Sequence, residues 1–225
     1  MTYLKQKSNL LTIAFAVILI QTAYSSGFNL NLSGEKKFEL NGKVNEPQII
    51  FISNAPLEDM RGTVNTDAIS GFIGLDPSNI ENAKGTITVR VKGMETGIQK
   101  RNTHLYSDEW MDADKYPNIS FTLDKISNIK LENSDASKGR STAKGIANGN
   151  FNMHGKSKNI NANVTLTYIK ESEDTKKRAS GDFLNVSGKF DLSLKDFNIT
   201  GIQGLVGSKV GEVINIEFNL FYSSK

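Results

Sequence analysis

Between Thr96 and Phe121 the chain reads TGIQKRNTHLYSDEWMDADKYPNISF, and this stretch concentrates the residues most able to do chemistry. It holds the single Trp (Trp110), one of the two His (His104) and four acids, Asp108, Glu109, Asp112 and Asp114, within seven positions. Clustered carboxylates could hold calcium or act as the acid and base of glycoside cleavage. The segment lacks the Gly and the last-position Glu of a calcium loop, and a glycosidase needs two carboxylates across a cleft. A solvated acidic face explains the cluster more simply.

His104 and His154 stand fifty residues apart in a chain without Cys, so a soft-metal site would need both, joined by carboxylates. Lone histidines are more often structural, and no metal is expected. No G-x-S-x-G turn offers a serine nucleophile. Gly201, Gly204, Gly207 and Gly211 make a glycine-rich stretch, but no Lys-Ser/Thr pair is placed to hold phosphate, and a flexible loop is expected there. No catalytic residue and no cofactor is therefore expected. A hydrolase built on the acid cluster and His104 is the alternative that Asp112→Asn or His104→Ala would test.

The elements that must position these residues begin after a leader. Lys5 and Lys7 precede an apolar run from Leu10 to Ile20, followed by Ala23-Tyr24-Ser25 with small residues where a signal peptidase reads. Residues 1–25 are expected to be a secretory signal cleaved after Ser25. Gln21, Thr22 and Ser25 stop the run short of the roughly 20 apolar residues of a membrane span. No Cys follows for lipid attachment, so the mature chain, residues 26–225, is expected to be one soluble domain of a periplasmic or extracellular protein. Losing Lys5 and Lys7 lowers the formal charge from +3 to +1, and nothing argues for nucleic acid. Without Cys, a continuous hydrophobic core must hold the fold.

Alternation is strictest from Ile160 to Tyr168, where Ile160, Ala162, Val164, Leu166 and Tyr168 point one way and Asn161, Asn163, Thr165 and Thr167 the other. That is the pattern of a half-buried strand. The period recurs through Ile87, Val89 and Val91; Ile119, Phe121 and Leu123; Val186, Phe190, Leu192 and Leu194; and Ile214, Ile216, Phe218 and Leu220. Weaker candidates lie near 37–40, 48–52, 68–75, 126–131 and 145–153. One apolar and one wet face per strand predicts antiparallel sheets, and about eight or more strands without a long helix predict a closed barrel or a sandwich. The segments 133–141 and 171–182 read as solvated hairpin loops. A short helical segment is expected around 98–114, capped by Ser107 with Glu109 in its first turn, packing Trp110 and Met111 over an open end of the sheet. Pro117 suits the first position of the strand that follows.

Several of these stretches together resemble a known family. Thr96-Gly97, Arg101 three residues before His104-Leu105, the acid–aromatic pair Glu109-Trp110 and Tyr116-Pro117-x-Ile119-x-Phe121 occur in the order seen in the YceI-like family of exported lipocalin-like proteins. Gly71 to Pro77, Gly149 to Lys158 and Phe190 to Gly211 are similar to further family stretches, so that the resemblance spans roughly residues 35–222. The family's Asp two positions before the His is Asn102 here, so that position supplies no charge beside His104. Phe28 to Leu32 reads as an added strand or arm, and Glu171 to Asp182 as an insertion.

The resemblance implies an all-β fold, an eight-stranded antiparallel lipocalin-like barrel with an elongated apolar cavity that takes a polyisoprenoid or another long-chain lipid. Alternation alone does not distinguish a hollow barrel from a filled one, although about eight strands leave room for one small ligand. Inward candidates for the lining are Ile87, Val89, Phe121, Val164, Leu166, Phe190, Leu192, Ile216 and Phe218, each equally compatible with ordinary core packing. Arg101, His104 and Trp110 are expected at the mouth or lid. The partner is then a lipid, with transient membrane contact and a homodimer both compatible with the reading. The competing expectation is a barrel filled by its own side chains, whose loops bind a protein or the envelope.

Overall fold

The computed structural model describes residues 26–224, so the expected leader and its cleavage site lie outside the described residues. The strands are β1 (Lys36–Leu40), β2 (Gln48–Asn54), β3 (Asp59–Val64), β4 (Ile69–Asp76), β5 (Asn79–Arg90), β6 (Met94–Glu95), β7 (Asn118–Asp135), β8 (Arg140–Met153), β9 (Lys156–Ile169), β10 (Phe183–Ser193) and β11 (Val213–Ser224). Two short helices, α1 (Gln99–Tyr106) and α2 (Glu173–Lys176), join them.

Eight strands close an antiparallel barrel in the order β1, β4, β5, β7, β8, β9, β10, β11, with β11 returning to β1. Closure is local, because β1 is only five residues long and meets β11 at Tyr222–Ser224 alone. Farther down β11 its place is taken by β2, with Ile214 opposite Ser53 and Asn219 opposite Gln48, and β2 carries β3 and then β6 outward. β3 pairs with β2 and β6, while β4 pairs with β1 and β5, so β6 ends the ladder on that side. Two strands expected near 119–123 and 126–131 are one long strand, β7, whose register shifts three times against β8 between Leu123 and Asn133. Asn128 at φ 53° takes up one of these bends, in the left-handed region that Asn tolerates better than most residues.

The inward faces follow the alternation. On β9, Ala162, Val164, Leu166 and Tyr168 are buried, and on β10 and β11 their counterparts include Leu184, Leu192, Leu220 and Tyr222. At the end that β1 closes, the interior is packed solid by Phe28, Phe38, Tyr168 and Leu184. Phe28 and Phe38 set their rings 5.3 Å and 5.9 Å from that of Tyr168, the spacing of tilted and edge-on aromatic pairs. The Tyr168 hydroxyl donates to Asp182, which Lys36 meets at 2.6 Å and the Glu171 amide at 2.7 Å. Burial opposes charge on Asp182, but the hydrogen bonds from Lys36, Tyr168 and Glu171 outweigh it and hold the carboxyl below its ordinary range.

Of the strand or arm expected at 28–32, the structure has the arm: it is irregular, Asn29 and Asn31 take positive φ, and Phe28 is fully buried as part of the plug. Two expectations need correction. The loop at 171–182 is only partly solvated: it carries α2, started by a capping box between Ser172 and Thr175, and delivers Asp182 to the plug. Ser107 ends α1 rather than starting it, its hydroxyl donating to the His104 carbonyl at 2.7 Å. The helix begins at Gln99 instead because the buried Asn102 side chain accepts from the Thr96 amide at 2.9 Å and the Thr96 hydroxyl at 2.7 Å, fixing the chain before the first turn.

Candidate functional site

The plug fills one end of the barrel and leaves the rest hollow. A cavity of about 650 Å³ runs from the floor at Leu166 and Tyr222 to the opposite end, within the range of about 300–1,000 Å³ for small-molecule sites. Its wall includes Ile87 and Val89 from β5, Phe121 from β7, Val164 and Leu166 from β9, Phe190 and Leu192 from β10, and Ile216 and Phe218 from β11. Each arrives there because inward residues of neighbouring strands stand opposite one another, as Ile87 does Phe121 and Phe190 does Ile216. Phe190 packs against Phe151 at 5.7 Å and Phe218 at 6.3 Å, so the middle of the wall is aromatic. The Tyr222 hydroxyl has its ionisation pushed up by burial alone, as expected in so apolar a floor.

Why the interior is hollow is also visible in the residues. Ala147 and Ala162 face each other across β8 and β9 and both line the cavity, where larger side chains would meet. Gly188 on β10 serves packing instead, since the Phe218 ring, 2.7 Å from where a Cβ would stand, fills its place. Small inward residues on otherwise bulky strands were the available sequence signal for empty space. The contributions of Phe51, Met60 and Phe151 were missed; Phe51 stood on a weak strand, and β3, which carries Met60, has the interruption of Arg61-Gly62 in its pattern.

α1 and the turn after it cover the open end. Trp110 and Met111 are buried and reach the cavity, and Arg101 and His104 line it as exposed or half-exposed side chains. Trp110 lies against Gly201, where a Cβ would come within 2.5 Å of the indole and φ is +61°, so glycine there serves both the turn and the ring. Arg101 bridges Glu58 in the β2–β3 loop at 2.6 Å, and the Tyr106 hydroxyl donates to the Met94 carbonyl at 2.5 Å, which ties the helix to both sides of the mouth. Burial, then the neighbouring Glu95, push the Tyr106 phenol up. Asn102 also donates to Glu95. An Asp at 102 would have no proton to give and would set two carboxylates together, so Asn suits this neighbourhood.

The acid cluster does not assemble a cleft. Asp108 and Glu109 are exposed, and Asp114 is paired with Lys92 at 2.7 Å, which holds it below its usual range. His154 is used elsewhere, its Nδ1 3.0 Å from the Phe197 carbonyl and its ring edge-on to Tyr116.

The fold has known relatives. The family model for the YceI-like domain matches residues 39–222. The chain belongs to the YceI-like family. It is 24% identical over 213 residues to protein YceI of Salmonella agona, covering 94% of this chain and 97% of that one. Among solved structures, a polyisoprenoid binding domain from Saccharophagus degradans implicated in plant cell wall breakdown aligns with a TM-score of 0.57 at 16% identity, over 84% of this chain and 98% of that one. The Campylobacter jejuni YceI protein aligns at 0.58 and 21% identity, over 77% of this chain and 90% of that one. At these identities the two structures establish the YceI-like barrel; the side chains inside it are this chain's own.

Proposed function

We propose that this YceI-like protein is exported and carries a polyisoprenoid or another long-chain apolar lipid inside its barrel, binding it without catalysing a reaction. The observation that carries the reading is the hollow, apolar interior, closed at one end by the aromatic plug and lined by Lys, Arg and Glu side chains only at the other. The Saccharophagus degradans relative, described as a polyisoprenoid binding domain, supports the ligand class. Affinity comes from burial. Each CH₂ removed from water contributes ~0.8 kcal/mol. About ten of them, roughly 8 kcal/mol, only offset an association cost of about 4–15 kcal/mol, so tight binding needs a longer chain of the isoprenoid kind.

In this reading Ile87, Val89, Phe121, Val164, Leu166, Phe190, Leu192, Ile216 and Phe218 hold the tail. Trp110 covers it, and Arg101 and His104 stand where a head group emerges. The test is titration of the purified protein with a fluorescent prenyl analogue, read by energy transfer from Trp110, the single Trp of the chain. Saturable uptake at one probe per chain is expected. No uptake would turn the reading towards an envelope interaction module.

A further inference from the structure

We propose that the rim of the cavity mouth is a docking face for an anionic phospholipid surface, with Leu57 and Ile98 as its apolar contacts and Lys100 and Lys209 as its charged ones. The proposal rests on the carrier reading and adds the surface from which the lipid is collected.

Leu57, in the β2–β3 loop, is 72% exposed, and Ile98, which starts α1, is 49% exposed. Single exposed aliphatics are ordinary on a protein surface, and it is the position of these two that is informative. Leu57 adjoins Glu58, and Ile98 starts the helix that carries Arg101, so the 2.6 Å bridge between Arg101 and Glu58 joins the two segments that hold them at the opening. Ile98 itself lines the cavity, and Leu57 is held at the rim by its amide donating to the Ser208 carbonyl at 3.0 Å. The apolar surface of the interior thus continues outward over the lip.

The charge at the lip has a sign. The charged side chains lining the cavity are Glu58, Lys100, Arg101 and Lys209, with His104 beside them. Glu58 is taken by Arg101, and neither Lys100 nor Lys209 has an ion-pair partner among the described residues. A lipid surface accommodates this arrangement: aliphatic side chains sink below the phosphates, while lysines bury their stems and keep their heads at phosphate level. The exposed acids Asp59, in the strand after the loop, and Asp108 and Glu109, in the turn after α1, border the patch, so the attraction is modest, local to the two lysines and salt-sensitive. Two aliphatic side chains are too little for a stable protein interface, which buries about 800 Å² on each partner. A long apolar chain is also too insoluble to reach the cavity through water unaided.

Flotation of the purified, host-processed protein with vesicles tests this, comparing phosphatidylcholine alone with phosphatidylcholine mixed equally with phosphatidylglycerol. The wild type is expected to float with the mixed vesicles at low salt and to remain below with the neutral ones. Removing each lysine, by Lys100→Ala and Lys209→Ala, is expected to lower partitioning about five-fold. Leu57→Asp is expected to abolish flotation while the variant still takes up a water-soluble short prenyl probe as the wild type does, because Leu57 lies outside the cavity wall; Ile98→Ser provides a second variant. Equal flotation with both vesicle types, no flotation of the wild type, or unchanged flotation of Leu57→Asp would overturn the proposal. So would Leu57-dependent self-association without vesicles, which would assign the face to a second copy. Failure of the carrier reading shows separately, as a wild type that holds no lipid whether or not it floats.

Discussion

Ala162→Phe puts the hollow interior to a quantitative test. Ala162 is 3% exposed, stands opposite Ala147 and faces the cavity. A benzyl group in place of its methyl enters space that a lipid tail would occupy, displacing on the order of four methylenes. At ~0.8 kcal/mol each this removes roughly 3 kcal/mol of binding, or about 200-fold in affinity. Trp110 quenching by prenyl probes of graded length measures the loss. It should be full for probes long enough to reach past Ala162 and small for short ones. Stability separates the explanations: overpacking a filled core costs about 1–3 kcal/mol, whereas filling a void costs little. For a chain of this size a drop of 1 kcal/mol lowers Tm by roughly 2–4 °C. An affinity within threefold of wild type for every probe, or a Tm lowered by overpacking, would refute the idea that Ala162 borders usable space.

Asp182 makes the plug acid-sensitive. Its carboxyl titrates below its unfolded value, so its contribution to stability is present above about pH 4 and is lost as pH falls through the lowered folded value. Urea unfolding from pH 7 to pH 3 should show a steeper loss for wild type than for Asp182→Asn, and parallel curves would discount the tether. Asn102→Asp sets a second carboxylate against Glu95 and removes a buried donor, so it should lower stability by about 1–3 kcal/mol; adding Glu95→Gln should recover part of it, and a thermal melt unchanged by Asn102→Asp would contradict the role given to Asn102. Gly201→Ala drives a Cβ against Trp110 in a left-handed turn, costing about 1–2 kcal/mol in backbone strain. Trp110 emission should shift to the red as the lid loosens, and an unchanged spectrum would mean the lid does not depend on that contact.

The strands that alternate most strictly were legible because their period is imposed by a two-sided environment. From Ile160 to Tyr168 every inward residue could be named from the sequence, and along β10 and β11 most of them, with Leu184 and Tyr222 left out near the plug. β3 was not legible, since Met60, Gly62 and Val64 form a weak inward face whose closeness comes from the Phe51 ring filling the place a Cβ at Gly62 would take. The arm at Phe28 and the tether at Asp182 were hidden for another reason. Both reach the plug across more than a hundred residues, Phe28 to Tyr168 and Lys36 to Asp182, and local patterning carries no trace of such distances. Of the site, the wall residues of β5, β7, β9, β10 and β11 named above followed from strand phase, but hollowness did not, because phase fixes direction and says nothing about how much of the middle is filled. At the mouth, the segment richest in acids proved to matter through Arg101, Asn102, Tyr106 and Trp110, which attach a lid, while Asp108 and Glu109 face solvent.

The central claim is that the barrel holds a long-chain lipid, and native mass spectrometry of the purified protein tests it most directly. The expected result is a bound species of lipid mass at one per chain, released by organic extraction, identified as a long apolar chain, and taken up again when offered to the stripped protein. A spectrum showing only the bare chain, which stays bare after incubation with prenyl lipids of increasing length, would contradict it.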